Sequence, residues 1–193
     1  SDKIFKFCAD RRISPNVLFM ATTILNLNKF TFSDKTLFAT IFNGRSNPNY
    51  FNTQAFLVKT LPVISVNEDR TLTIEAFLDN VNKDWKDIIK HSNYPYTELS
   101  HEFQLQPEFF YSYNNRAEEY VEINGNNYDI EYLETVEANY KINFEVNETK
   151  NGLEVNIIYN DQLYSEDYIE LFLNCIVSTV NQFINGDISK LRI

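Results

Sequence analysis

Residues 36–42 read TLFATIF. Both alternations of that run are apolar, the pattern of a strand buried on its two faces rather than one lying half in water. Such a strand needs neighbours on its edges and cover on its faces, so it predicts a sheet with helices packed against it. The next apolar run, AFLVKTLPVISV (55–66), supplies a second strand. Pro62 interrupts it. Proline cannot donate to a ladder, so the strand must leave the sheet there, bulge, or lie at an edge.

Upstream, Ser14 is a good helix N-cap with Pro15 at the first helical position, and Val17, Leu18, Ala21, Ile24 and Leu25 share one face. Downstream, Thr73 caps the clearest helix, where Ile74, Phe77, Leu78, Val81, Trp85, Ile88 and Ile89 follow helical spacing. Trp85 on that face is a core residue rather than a ligand platform. Pro95 ends this helix or restarts a short one through Leu99 and Phe103, and EFFYSY (108–113) is a further strand. KINFEV (141–146) and LEVNIIY (153–159) alternate cleanly, joined by a turn in NETKNG (147–152). Ile142, Phe144 and Val146 should face Leu153, Val155, Ile157 and Tyr159, with one face of the hairpin packed and the other wet. A last helix runs from Ser165 through Ile169, Phe172, Ile176, Val180 and Phe183 to a cap at Asn185-Gly186. The sum is one α/β domain over residues 1–193: an open, mixed, partly antiparallel sheet with helices packed on it.

Composition bounds the function. Apolar residues make up 44% and aromatics 15% of 193 residues, enough for a sizeable core, and the net charge is −10. That charge excludes a broad basic face for nucleic acid or an anionic membrane, and no apolar run approaches a membrane span. Lys3, Lys6, Arg11 and Arg12 form a local basic cluster near the start, read as solubilising helix flanks ahead of a patch for an acidic partner. Cys8 and Cys175 are the two cysteines; far apart and each in an amphipathic stretch, they read as packed thiols of a reducing compartment, the cytoplasm, ahead of a disulfide or a reactive thiol. The chain opens on an apolar pattern already under way (Ile4, Phe5, Phe7, Cys8) and is expected to be a piece of something longer.

Catalytic signals are sparse. The four glycines, Gly44, Gly125, Gly152 and Gly186, fall at turns or caps, and none sits in a phosphate-cradling loop. His91 and His101 are the two histidines, without nearby cysteines or paired aspartates, so no metal site is expected. Spacing leaves a Ser-His-Asp arrangement open, since triads assemble from distant residues, but no GxSxG elbow supports one.

The order of the motifs is specific. ISPNVLFMATTILNLNKF (13–30) resembles the capped T-x-x-x-L helix of condensation domains from non-ribosomal peptide synthetases, within the chloramphenicol-acetyltransferase-like superfamily. TLFATIFNGR (36–45) resembles that family's strand into a GR turn, and QAFLVKTLPV (54–63) its V-G-x-F-V-N-T-L-P segment. HSNYPYTEL (91–99) resembles H-Q-D-Y-P-F-E-x-L, and PEFFYSYNN (107–115) its P-L-F-x-V-x-F-x-Y strand. The likeness runs over nearly the whole chain and points to the C-terminal half of such a domain.

The resemblance implies a CoA-dependent acyltransferase-like fold and peptide-bond formation between substrates held as thioesters on the phosphopantetheine arms of carrier proteins. This half would form one wall of the substrate channel. The implied partners are the N-terminal condensation subdomain, carrier protein domains and an adjacent adenylation domain. The family's H-H-x-x-x-D-G signature does not occur in these residues, so no catalytic role passes to His91; it is expected to end the long helix and fix the YPY turn at the interior edge. The residues implied nearest the channel are Asn43, Gly44, Arg45, Lys59, Thr60, Leu61, Pro62, Tyr94, Pro95 and Tyr96. Arg45 could make forked hydrogen bonds across an interface or, equally, a salt bridge tying strand end to loop. For Tyr94 and Tyr96, packing with a satisfied hydroxyl competes with substrate contact.

The departures from the pattern bear on this. Ala55 stands for the family glycine, Lys59 for its asparagine, Ser92-Asn93 for Gln-Asp, and EFQLQ (102–106) for the expected Arg-Asp residues. The family asparagine is implied to lie close to the channel, so a lysine there reaches another partner or marks a divergent or inactive member. Two other readings follow: a non-catalytic docking platform for carrier proteins, or a CoA-dependent acyltransferase or epimerising relative.

Overall fold

Three hydroxyl side chains set where the long helices begin. Ser14 accepts from the Val17 amide to start α2 (Pro15–Thr31), Thr73 accepts from Ala76 to start α3 (Ile74–Lys90), and Ser165 accepts from Tyr168 to start α5 (Glu166–Asn185). Two more helices, α1 (Asp2–Arg11) and the short α4 (Tyr96–Phe103), complete the set in this computed structural model, which describes residues 1–45, 47–115, 120–131 and 139–193.

A five-stranded sheet has the order β2-β1-β3-β6-β7: β1 (Lys35–Phe42), β2 (Lys59–Val66), β3 (Phe109–Asn115), β6 (Ile142–Thr149) and β7 (Gly152–Tyr159). The strands β1, β3 and β6 run parallel through its centre, and β2 and β7 close its edges as antiparallel hairpin partners. Pro62 therefore takes the edge alternative, opposite Ala39, where its missing N–H costs no ladder bond. The second strand starts later than expected. Phe42, the last residue of β1, pairs with Lys59, so residues 55–58 have no strand beside them and Phe56 is almost fully exposed.

One sheet face carries the core. Phe38, Tyr111, Phe144 and Val146 point to it from neighbouring strands, against Phe172, Ile176 and Leu18 of the helices, all buried. The Tyr111 hydroxyl, deep in that core, donates to the Asn16 carbonyl (3.0 Å) and to Asn16 Oδ1 (2.8 Å). The side chains expected to share the packed face of the last hairpin do so, with Ile142, Phe144 and Val146 opposite Tyr159, Ile157 and Val155. Leu153 lies opposite Glu148, because the strands extend to Thr149 and Gly152 and the turn is shorter than expected. The expected wet face is not wet at the centre, however. Ser112 and Asn147 on it are buried, Tyr140 stacks on Phe110 at 5.1 Å, and Asn114 Nδ2 donates to Asn147 Oδ1 (3.0 Å).

A helix reading with one apolar face also falls short for α2. Every residue from Val17 to Asn26 is buried, because α2 touches α1, α3, α5 and β1. Three of its buried polar side chains are satisfied inside: Thr22 and Thr23 donate to the Phe19 carbonyl (2.9 and 2.8 Å), and Asn26 donates to the Thr22 carbonyl (2.8 Å) and to Thr179 Oγ1 of α5 (3.0 Å). Gly186 caps α5 in an extended rather than a left-handed conformation. Its role is space, since a Cβ there would lie 2.5 Å from the Gln182 carbonyl oxygen.

Sequence reasoning passed over the separate hairpin of β4 (Tyr120–Ile123) and β5 (Asn126–Asp129). Its signal was present: Asn124-Gly125 both take positive φ, the two-residue turn that matches strand twist. Register and alternation put Val121, Ile123 and Tyr128 on one face, and all three are exposed.

Both thiols are free, Cys8 buried and Cys175 half-buried. Burial pushes the Cys8 thiol up to about 11 from 9.0. In a folded chain at pH 8, an Ellman-type reagent is expected to label Cys175 and to reach Cys8 only on unfolding. Because the folded value is the higher one, Cys8 contributes stability that is intact below pH 9 and lost as pH rises towards 11. Fast labelling of two thiols per native chain would contradict this placement.

Candidate functional site

The end of the sheet where β1 runs out and β2 begins gathers most of the residues that the sequence nominates. Asn43 is exposed there, and its Oδ1 accepts from the Arg45 amide (3.0 Å). Gly44 is buried at φ +70°, and a Cβ on it would lie 2.0 Å from the Leu57 carbonyl oxygen. Only glycine fits: the backbone of the turn and that of the returning chain are in direct contact.

Arg45 forks, but inward. Its guanidinium donates to the carbonyls of Tyr50, Thr53 (3.0 Å) and Ala55 (3.3 Å), stapling the loop that includes the 3-10 turn Pro48–Tyr50. The residue ties strand end to loop, as the blander expectation had it, through main-chain oxygens and not through a carboxylate. A planar five-donor group suits that task.

Beyond this turn lies a cavity of about 290 Å³ lined by Lys59, Thr60 and the run Ser92–Thr97. Lys59 Nζ donates to Asn93 Oδ1 at 2.6 Å, joining the edge strand to the α3–α4 connection. Ser92 is buried, and its hydroxyl has no hydrogen-bond partner among the described residues. Tyr94 is exposed and turns its hydroxyl towards Glu102 (3.3 Å), whose negative charge raises the phenol above its usual value. Burial raises the Tyr96 hydroxyl too. Both phenols stay protonated at neutral pH.

The structure thus brings Lys59, Thr60, Tyr94, Pro95 and Tyr96 together, as the motifs suggested, and leaves two nominated neighbours out. Leu61 is buried on the helix-covered face, and Pro62 is half-buried opposite Ala39, one and two residues further into the strand. Alternation along β2 sends Leu61 to the opposite face from Thr60. Sequence reasoning noted Ser92-Asn93 as a departure without seeing that Asn93 is the partner of Lys59.

His91 ends α3 and its carbonyl accepts from the Tyr94 amide (3.1 Å), fixing the YPY turn as expected. It is exposed rather than interior. Its ring Nδ1 contacts the Asp87 carbonyl (2.8 Å), and since a carbonyl only accepts, Nδ1 carries the hydrogen. Among the described residues no three His, Cys, Asp or Glu side chains converge as a metal site, and no helix is long and apolar enough to cross a membrane.

With this geometry in hand, comparison with known proteins is informative. The chain is 19% identical to tyrocidine synthase 3 of Brevibacillus parabrevis over 199 aligned positions, covering 99% of this chain and 3% of that protein. Its fold superposes on the condensation domain of the monacolin K polyketide synthase MokA with a TM-score of 0.79 at 14% identity, covering 98% of this chain and 45% of the other. It also superposes on a four-domain nonribosomal peptide synthetase, a holo form bound to AMP and glycine, with a TM-score of 0.79, covering 98% of this chain and 16% of that one. The chain therefore spans less than half of the condensation domain it matches. The family model described as "Condensation domain" fits residues 1–192, all but the last position of the chain, and the chain belongs to the condensation-domain family.

Proposed function

We propose that residues 1–193 are the C-terminal subdomain of a condensation domain that joins carrier-bound aminoacyl or peptidyl thioesters through an amide bond. The observation that carries this reading is the family match over 1–192 combined with coverage of 45% of a condensation domain. This half forms one wall of the channel with the Asn43–Arg45 turn, Lys59, Thr60 and the Tyr94–Tyr96 turn, while Leu61 braces the wall from behind and Pro62 continues the Thr60 face further along the strand. It holds no catalytic residue, since HHxxxDG is not among its residues. The histidine comes from the N-terminal subdomain, and the phosphopantetheine arms come from carrier domains with an adenylation domain adjoining.

The β4–β5 hairpin supports a second half. Val121, Ile123 and Tyr128 form an exposed apolar strip of the kind that finds cover on another surface. The reading is tested by mixing the chain with an HHxxxDG-bearing half and loaded carrier proteins, and following amide product by mass spectrometry. Product is expected from the joined halves and none from this chain alone. Turnover by the isolated chain would refute it.

A further inference from the structure

We propose that the cavity beside β2 is an oxyanion site, taking a carboxylate or phosphate group between the Lys59 ammonium, the Ser92 hydroxyl and the amide N–H groups of Tyr96 and Thr97. The inference goes beyond the domain-half reading and does not depend on it.

Independent observations converge on this cavity. Lys59 Nζ has three hydrogens, and its one hydrogen bond among the described residues is to Asn93 Oδ1, a neutral amide oxygen that fixes the ammonium without cancelling its charge. The helix α4 starts at the same cavity without a side-chain cap. Its N-cap is Pro95, which has neither a side-chain acceptor nor an N–H through which Glu98 could close a capping box. The Pro95 carbonyl takes the Glu98 and Leu99 amides, so the Tyr96 and Thr97 N–H groups are left without partners among the described residues. Free amides at a helix start are an anion-binding arrangement.

Ser92 supplies what a bare helix end lacks. It is only 9% exposed, lines the cavity, and its hydroxyl is unpartnered among the described residues. Its oxygen is not sealed off from the cavity, so an anion entering there can accept from the hydroxyl. Tyr94 is not one of the donors, because its hydroxyl turns to Glu102. Glu98, exposed in the first turn of α4, is not among the lining residues. In a chain of net charge −10, this concentration of donors is a local feature and not the general field. About 290 Å³ also suffices for a carboxylate or phosphate with several further atoms, a water molecule occupying roughly 30 Å³.

The experiment is an NMR titration of the ¹⁵N-labelled 193-residue chain with inorganic phosphate and, separately, with acetate. Saturable shifts centred on the Tyr96 and Thr97 amides are expected. A response to phosphate alone assigns a phosphate-type ligand, a response to acetate alone a carboxylate, and a response to both a general oxyanion site. Lys59→Met should weaken binding by about tenfold and Ser92→Ala by about threefold, while Lys59→Arg keeps it within about threefold. Absence of saturation with both anions, or equal binding by wild type and Lys59→Met, overturns the proposal. If the anions fail while the joined halves still form amide, this proposal alone falls.

Discussion

Replacing Phe144 by alanine is expected to lower the unfolding free energy by about 3–5 kcal/mol, a large share of the roughly 5–15 kcal/mol that a domain possesses. The ring is fully buried at the middle of β6, where the sheet meets α5. It stacks near Tyr111 (centroids 6.0 Å apart) and meets Phe172 edge-on at 6.4 Å. Removing it leaves a void between elements far apart in sequence, β3 and α5, which have no flexible segment to collapse into the space. A drop in melting temperature on the order of 10 °C follows for a chain of this size. As a control, Phe56→Ala removes a ring that is 90% exposed and should move stability by no more than about 0.5 kcal/mol. Urea midpoints for the two variants decide it: a Phe144→Ala loss under about 1 kcal/mol would mean that the sheet–helix interface is much looser than this packing.

That contrast also shows what local sequence can and cannot convey about the fold. Ser14, Thr73 and Ser165 were legible as caps because capping depends on one residue and its next three neighbours. The packed face of the last hairpin was legible, since alternation determines which side chains share it, but its turn was not: the strands run on to Thr149 and start again at Gly152. The parallel insertion of β3 between β1 and β6 was not legible either. Its partners lie dozens of residues away, and parallel pairing leaves no turn to read. The same limit explains α2: periodicity marked one apolar face, but Thr22, Thr23 and Asn26 look solvent-facing until α5 is placed beside them. Wetness on the far sheet face failed likewise, because Asn114 donates to Ser112 Oγ within β3 and to Asn147 Oδ1 on the neighbouring strand, and Ser112 and Asn147 are buried there.

The candidate site was legible in membership more than in role. Lys59 and the YPY turn are 35 residues or more apart in their contacts along the chain only on paper; the edge position of β2 brings them to one cavity. What spacing could not convey is direction. Alternation along a strand whose start was misjudged cannot say that Leu61 faces the core while Thr60 faces the cavity. Nor could composition say that the three carbonyls in front of the Arg45 guanidinium would be main-chain oxygens.

Gly44 gives the sharpest test of how the loop holds that site, because Gly125 serves as its control. Both have similar positive φ, +70° and +78°. Alanine at Gly125 meets nothing within 4 Å, so its cost should be the conformational one alone, about 1 kcal/mol. Alanine at Gly44 has the same backbone cost and drives its Cβ to 2.0 Å from the Leu57 carbonyl oxygen and 2.9 Å from its carbon. Backbone cannot rotate aside like a side chain, so the loop must move, and a total near 3 kcal/mol is expected. The displacement should travel, since Leu57 lies just ahead of Lys59, which pairs with Phe42 and holds Asn93. Gly44→Ala should therefore also weaken phosphate binding at the β2 cavity, whereas Gly125→Ala leaves it unchanged. Equal destabilisation of the two variants in urea, with equal phosphate affinities, would mean that the contact between the turn and Leu57 positions nothing.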